Sequence, residues 1–123
     1  MLGDVDLNHL NLRVRDVDAC SAFYRRHFRF RPAFEAEGGQ FLRNDGGFLL
    51  ALMPASPHQP LPDGFHLGFG LEAAPEVIAL HRELSGAGVR ATGVDDHRPG
   101  EPYVTFRCWD PDGTEVEVFW EQP

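Results

Sequence analysis

The chain carries the same succession of strand and helix patterns twice, and this repeat constrains its fold more than any other feature. Residues 7–14 alternate apolar and polar side chains as a strand does, and residues 65–71 repeat that alternation. A shift of 57 positions places His9 on His66. Each opening strand is followed by a stretch with helical spacing and then by three short stretches with strand character. The sequence therefore predicts two βαβββ modules.

A proline-rich segment separates the two repeats. Its sequence, PASPHQPLPDG, contains four prolines and little apolar material, as a linker does. We therefore assign the first repeat to residues 5–53, the linker to 54–64 and the second repeat to 65–121 of a single domain. One sheet half-covered by a helix cannot bury its apolar face alone, so we expect the modules to pair. The predicted fold is α+β, with one curved mixed sheet (a half-barrel) and both helices on its convex face.

The bounds of the individual elements follow from turn and capping residues. Asp16 or Asp18 can cap the first helix, while Pro75 suits the first turn of the second helix and Gly88 suits its end. The DPDG segment at residues 110–113 predicts a tight turn between the last two strands. Strands are predicted at residues 7–14, 30–36, 40–43, 48–53, 65–71, 89–94, 103–109 and 114–120.

Composition excludes several classes of partner. The formal net charge is −8, all 11 basic residues are arginines, and they form no extended cluster. Such a chain is unsuited to nucleic acid or to an anionic membrane surface. It has no apolar run long enough to span a membrane and no signal pattern, so we expect a cytoplasmic protein. Cys20 and Cys108 do not predict a disulfide framework, and Cys20 falls on the apolar stripe of a helix.

Three potential metal ligands are predicted on one face of the sheet. If the apolar residues of each opening strand pack on a helix, His9 and His66 point to the opposite, concave side. In the last strand Glu117 lies on the face opposite Val116 and Val118. Two imidazoles and one carboxylate from three strands make a facial triad, which leaves coordination positions for water or substrate. Gly68 and Gly70 would leave room beside them.

Further polar residues alternate along the strand at 103–109. Tyr103 could donate a proton or hydrogen bond and Arg107 could hold an anionic oxygen, together with Thr105 on the same face. Surface exposure, or pairing with a carboxylate, is the alternative for Arg107. His97 and Arg98 are expected in a solvated loop that could act as a lid. The remaining histidines, His27, His58 and His81, lie on helices or in the linker and are not expected to be ligands.

Three segments of the sequence resemble the vicinal-oxygen-chelate superfamily: LNHLNLRVRDVDACSAFYRRHF, FHLGFGL and YVTFRCWDPDGTEVEVFW. That superfamily includes glyoxalase I, extradiol dioxygenases, fosfomycin-resistance thiol transferases and bleomycin-binding proteins. The resemblance implies that His9, His66 and Glu117 hold one divalent metal ion (Fe, Mn, Zn or Ni), with Glu117, Tyr103 and Arg107 acting in catalysis. It also implies a small-molecule substrate and a homodimer.

The sequence departs from the patterns of two of these activities, those of glyoxalase I and of the extradiol dioxygenases. Where glyoxalase I adds a carboxylate ligand, this chain has Leu50 or Ala51, and where extradiol dioxygenases usually have a tyrosine it has Arg107. The expected function is therefore a metal-dependent enzyme acting on a small oxygen-rich molecule, with lyase, isomerase, dioxygenase and thiol-transferase chemistry all open. The alternative is a metal-free drug-binding protein of the bleomycin-binding type, for which the −8 charge would suit a cationic drug.

Overall fold

The computed structural model describes residues 3–57 and 60–122, and the chain divides into two compact units after residue 59. We call them the first and the second module and describe each by itself. The first module contains β1 (His9–Val14), α1 (Val17–His27), β2 (Arg31–Ala36), β3 (Gly39–Arg43) and β4 (Leu49–Pro54). The second contains β5 (His66–Gly70), α2 (Ala74–Gly86), β6 (Asp95–Asp96), β7 (Tyr103–Trp109) and β8 (Glu115–Glu121). The predicted α+β fold with two βαβββ modules is confirmed, whereas the assignment to a single domain stays a prediction.

Each module forms a four-stranded mixed sheet with the same strand order. The first sheet runs β1-β4-β3-β2 and the second β5-β8-β7-β6. In both, the opening strand pairs in parallel with the closing strand, and the other neighbours are antiparallel. In the first module α1 contacts β3 and β4, and in the second module α2 contacts β7 and β8. This topology places the opening strand, which carries a histidine, directly beside the last strand of its own module.

The opening strand of the first module alternates as its sequence predicts. Leu12 and Val14 are buried, whereas His9, Asn11 and Arg13 are exposed. The helix that follows begins at the nearer of the two predicted caps, because Asp16 Oδ1 accepts a hydrogen bond of 3.0 Å from the backbone N–H of Ala19. The buried face of this helix consists of Cys20, Ser21, Phe23, Tyr24 and His27.

The second helix also follows its sequence signals. Pro75 lies in its first turn, where the missing N–H leaves no hydrogen bond unmade. Val77 and Leu84 are fully buried. The chain leaves the helix through Gly88, whose φ of +78° is a left-handed conformation that suits glycine.

The strand predicted at residues 89–94 is wrong in its bounds. Ala91 makes an isolated bridge to Cys108, and the regular pairing comes later, between the two-residue strand β6 and Val104–Thr105. The hydroxyl of Thr92 accepts the backbone N–H of Arg107 at 2.9 Å, so a side chain takes a bond that the ladder would otherwise make. The pairing register therefore shifts by one residue between the bridge and β6, and the segment is not a continuous strand.

The predicted turn at residues 110–113 is present and is held by a buried carboxylate. Asp110 Oδ1 accepts backbone N–H groups from Asp112 and Thr114, both at 2.9 Å, and Asp110 is only 4% exposed. Gly113 adopts a φ of +88° that an L side chain would disfavour. The turn fixes the pairing of β7 with β8, in which Arg107 lies opposite Glu117.

Both cysteines are buried, as expected for Cys20. Burial, with a smaller contribution from the negative charge of Asp110, raises the pKa of the Cys108 thiol to about 12. A raised pKa means that the thiol stays protonated at pH 8, where an ordinary cysteine is partly thiolate. Among the described residues, no helix is long and apolar enough to cross a membrane.

We predict that neither thiol reacts readily in the folded protein. Because the thiolate is the nucleophile, reaction with an aromatic disulfide reagent at pH 8 should be roughly a hundredfold slower in the native protein than in guanidinium. Absorbance of the released thiolate measures both rates. A native rate equal to the denatured rate would contradict the burial of Cys108.

Candidate metal centre

In the second module, the sheet face turned away from α2 gathers the predicted polar residues. His81 of α2 lies against the ring of Phe106, with centroids 5.0 Å apart, so Phe106 faces the helix. By alternation, Tyr103, Thr105 and Arg107 occupy the other face of β7. Glu117 is opposite Arg107 on β8 and therefore shares that face. The face also carries His66, because His66 pairs in register with Glu115, which lies on the same face of β8 as Glu117.

His66 and Glu117 form the nucleus of this face. His66 Nε2 lies 3.6 Å from Glu117 Oε1, and the two side chains are 44% and 24% exposed. The other ring nitrogen, Nδ1, is 2.9 Å from the carbonyl oxygen of Gly64. A carbonyl oxygen can only accept a hydrogen bond, so Nδ1 carries the proton in the neutral ring and Nε2 presents a lone pair to the carboxylate.

The second carboxylate oxygen of Glu117 is held by two hydroxyl groups. Tyr103 donates a hydrogen bond of 2.7 Å to Oε2, and the Thr105 hydroxyl is 2.9 Å from the same atom and 3.0 Å from the carbonyl of Val118. The hydrogen bond to Glu117, followed by burial, raises the pKa of Tyr103 above its usual value of 10. The phenol therefore stays protonated and acts as a donor, while Oε1 is left facing His66.

Two other charged residues border the pair. Glu115 Oε2 is 3.9 Å from His66 Nδ1, so it adds negative charge on the far side of the imidazole. Arg107 is exposed, and although it is the cross-strand neighbour of Glu117, its guanidinium makes no ion pair within residues 3–57 and 60–122. Its backbone N–H is bonded to Thr92. Arg107 is thus available to an anionic group from outside the module.

The two glycines of β5 make room for an aromatic ring rather than for open space. A Cβ atom on Gly68 would lie 3.5 Å from Phe119, and one on Gly70 would lie 3.3 Å from it. The expectation that these glycines leave a free recess is therefore wrong, because the Phe119 ring fills the space above them. Phe119 instead forms an apolar neighbour to Tyr103, with ring centroids 6.4 Å apart.

His9 lies on the corresponding face of the first module. It is exposed on β1, opposite the buried Leu12 and Val14. Its Nδ1 is 2.9 Å from Asn8 Oδ1, so this ring is also held through Nδ1 by an oxygen acceptor. In the neutral ring this leaves Nε2 free to act as a ligand, as in His66.

The structure thus brings two of the three predicted ligands together within one module. Within the described ranges, no group of three or more His, Cys, Asp or Glu side chains is placed to hold a metal ion. His66 and Glu117 are neighbours in the second module, and His9 belongs to the first. The complete three-ligand set stays a prediction.

Sequence reasoning missed an acid–base pair beside Tyr103. Asp95 Oδ2 lies 3.2 Å from His97 Nε2, and the imidazole is 5.4 Å from the Tyr103 ring. His97 was expected in a solvated loop, yet its backbone N–H donates to the carbonyl of Tyr103 at 3.0 Å. The alternation of Asp95 and His97 along the chain was the available signal, and the short length of β6 concealed it.

The neighbours of the other predicted loop and helix residues are also defined. Arg98 makes a two-pronged ion pair with Asp96, at 2.8 and 3.0 Å, and this hydrogen bonding lowers the pKa of the Asp96 carboxyl to about 2. His81 Nε2 is 2.8 Å from the Thr92 carbonyl, and His27 is buried in the first helix, so both have structural roles. His58 lies outside the described residues.

The sequence identifies the protein superfamily to which this fold belongs. Residues 6–118 match the Glyoxalase/Bleomycin resistance protein/Dioxygenase superfamily, and the chain belongs to that superfamily. It is 35% identical to the uncharacterized protein PA2024 of Pseudomonas aeruginosa, over 95% of this chain and 89% of that protein. The resemblance seen in the sequence is therefore confirmed.

Solved structures share the fold over nearly the whole chain. A possible glyoxalase from Bacillus cereus is 28% identical, with a TM-score of 0.77 over 94% of this chain and 98% of that one. The fosfomycin resistance protein FosX from Listeria monocytogenes, in a complex with Mn(II) and sulfate, is 17% identical, with a TM-score of 0.78 over 99% of this chain and 93% of that one. At that identity the likeness is one of fold.

Proposed function

We propose that this protein is a divalent-metal-dependent enzyme that acts on a small, oxygen-rich molecule, with His9, His66 and Glu117 as ligands. The observation that carries the proposal is that His66 Nε2 lies 3.6 Å from Glu117 Oε1. The other polar atom of each side chain already has a partner: His66 Nδ1 is bonded to the carbonyl of Gly64, and Glu117 Oε2 accepts from Tyr103. The proposal requires His9 to meet them on one ion, within one chain or across two copies.

Simple electrostatics favours a cation between the two groups. With Nδ1 bonded to Gly64, a neutral His66 presents a lone pair to a carboxylate, and two acceptors facing each other repel. A proton on Nε2 or a shared metal ion relieves that repulsion. Metal–ligand bonds of about 2.1 Å separate two ligand atoms by roughly 3.0 to 3.5 Å, close to the separation found here. Both histidines also have the second hydrogen bond that fixes the ring of a ligand.

A metal ion at these residues would supply Lewis acidity toward two neighbouring substrate oxygens. The chain's own residues then have distinct tasks. Glu117 neutralises part of the positive charge and is oriented by Tyr103 and Thr105. Tyr103 stays protonated because its pKa is raised, and its single O–H, which donates to Glu117 in this structure, would have to turn from that carboxylate to donate to a substrate oxygen that gains negative charge. Arg107 can bind an anionic part of the same molecule.

The first module narrows the chemistry further. The residue of β4 on the same side of the sheet as Asn11 is Ala51, its register partner, and Leu50 is fully buried. A carboxylate ligand that would also serve as base is therefore missing from this strand. This favours reactions in which a neutral donor such as Tyr103 assists, over isomerisation by a second carboxylate. The homodimeric state and the cytoplasmic location remain predictions.

The test is the metal content of the native protein and of single-ligand variants. We expect protein purified without added metal, then analysed for its elements, to carry a divalent ion, and His66→Ala and His9→Ala to lose Mn(II) affinity by about a hundredfold. His97→Ala is the matched control, because it removes an imidazole of the second module that Asp95 already pairs. A screen with catechols, methylglyoxal–thiol adducts and fosfomycin follows.

A native protein that takes up none of Mn, Fe, Zn or Ni would overturn the proposal. That result would favour the metal-free binding protein instead. If each of the single variants His9→Ala, His66→Ala and Glu117→Ala retained stoichiometric metal, the metal would bind elsewhere in the protein.

A further inference from the structure

The sheet face of the first module that points away from α1 carries an unusual combination of side chains. The amide of Gln40 donates to Asp18 of α1 at 2.6 Å, so Gln40 faces the helix and its neighbour Phe41 faces away. We call this side, with His9, Arg31, Phe34, Phe41 and Arg43, the arginine–aromatic face. Register places Phe34 opposite Phe41 and Arg31 opposite Arg43.

Two aromatic rings lie at the centre of this face. Phe34 and Phe41 are stacked, with centroids 4.4 Å apart and planes inclined by 16°. Phe34 nevertheless remains 49% exposed, so one side of the stack is open. An exposed flat ring on a sheet costs solubility and offers a stacking surface to another flat ring.

Two arginines lie opposite each other beside the rings. Like charges directly across a strand pair destabilise a sheet, yet Arg31 and Arg43 occupy such positions. Arg31 bonds to Asp45 at 3.0 Å, but that pair is 70% and 81% exposed and strongly screened. Arg43 donates to the carbonyl of Gly47 at 3.1 Å and has no carboxylate partner among the described residues. A bound anion would remove this repulsion.

The face is positive although the chain as a whole carries −8. Among its four strands the only acidic residue is Glu35, which pairs with Gln40 and therefore faces the helix. The proposed ligand His9 is on the same face: it pairs with Leu49, and Leu49 pairs with Arg43. Two strand spacings put the backbones of His9 and Arg43 about 10 Å apart, the length of a small aromatic molecule.

We propose that the arginine–aromatic face binds an aromatic carboxylate, whose ring stacks on Phe34 and whose carboxylate is held at Arg43. Charge complementarity selects the anion and the open side of the stack selects the flat ring. That this molecule is the substrate of the metal site rests on the proposed function. Binding to the face itself does not depend on a metal.

The test uses 2-naphthoate as the probe and isothermal titration calorimetry on EDTA-treated protein. We expect saturable binding of 2-naphthoate that weakens when sodium chloride is raised from about 50 to 500 mM. The neutral 2-naphthol and the non-planar cyclohexanecarboxylate should each bind at least about fivefold more weakly, because each lacks one of the two recognised features.

Two variants locate the binding. Phe34→Ala should weaken 2-naphthoate about tenfold, and Arg43→Gln about fivefold with loss of the preference over 2-naphthol. Leu61→Ala, which shortens an exposed apolar side chain of the second module, and Arg25→Gln, on α1, are the matched controls and should bind normally. Circular dichroism checks that each variant is folded.

Absence of saturable 2-naphthoate binding, equal binding of 2-naphthol, or normal binding by both variants would overturn the inference. The two proposals fail separately. If the protein takes up metal but does not bind 2-naphthoate, only the proposal of aromatic-carboxylate binding is ruled out. If it binds 2-naphthoate but takes up no metal, only the proposal of a metal-dependent enzyme is ruled out.

Discussion

Glu117→Gln is expected to lower the affinity for Mn(II) by at least about a hundredfold, which is among the largest effects of any single change in this protein. The substitution keeps the size of the side chain and an oxygen that can accept from Tyr103 and Thr105. It removes the negative charge that faces His66 at 3.6 Å. The loss would therefore report on the charge of the ligand and not on a collapse of the site. Titration of the EDTA-treated protein with Mn(II), followed by electron paramagnetic resonance, measures the affinity.

Glu115→Gln is the control for this experiment, since it changes the same charge on the same face of β8. Glu115 lies 3.9 Å from the ring nitrogen of His66 that is already bonded to Gly64, so it is not expected to be a ligand. The affinity of the Glu115→Gln variant for Mn(II) should fall by less than about tenfold relative to the wild type, because only a nearby negative charge is lost. Equal losses in both variants would show that Glu117 acts only as part of an acidic surface.

Asp110→Ala is expected to lower the free energy of unfolding by about 3 kcal/mol, because it leaves two backbone N–H groups in a buried turn without an acceptor. Those groups belong to Asp112 and Thr114, and each is 2.9 Å from the carboxylate. The melting temperature should fall by roughly 10 °C. Chemical denaturation followed by fluorescence gives the free energy directly.

Asp110→Asn separates the hydrogen bonds from the charge. The amide oxygen can still accept both N–H groups, so this variant should lose only about 1 kcal/mol. The turn also sets the register of β7 and β8, and a slip by one residue would move Glu117 to the opposite face of the sheet. An Asp110→Ala protein as stable as the wild type would show that the turn forms without its buried carboxylate.

The repeat and the alternation of the strands were predictable from the sequence because they follow from burial alone. Leu12 and Val14 need the helix side, which leaves His9 and Arg13 on the other, and the same logic places Glu117 opposite Val118. The caps and turns were predictable because Asp16, Pro75 and Gly113 satisfy local backbone requirements. These signals act within a few residues and need no knowledge of the tertiary structure.

The remaining features of the two sheet faces depend on contacts that no short stretch of sequence determines. The pairing of Arg31 with Arg43 and the stack of Phe34 on Phe41 depend on the register of one hairpin and its bulge. The shift near Thr92 depends on a side chain that competes with the sheet for a backbone bond. No local sequence pattern predicts the register of this hairpin or the shift near Thr92. Phe119 likewise fills the space over two glycines only because β5 and β8 are neighbours.

Parallel pairing of β5 with β8 has a wider consequence for a chain of this design. His66 and Glu117 are held by adjacent backbones although a helix and two strands separate them in the sequence. The intervening polypeptide, from residue 71 to residue 114, can lengthen or change at its exposed connections without moving either group. The mostly exposed segment 97–102 can thus vary in sequence while the parallel pairing of β5 with β8 keeps His66 and Glu117 next to each other.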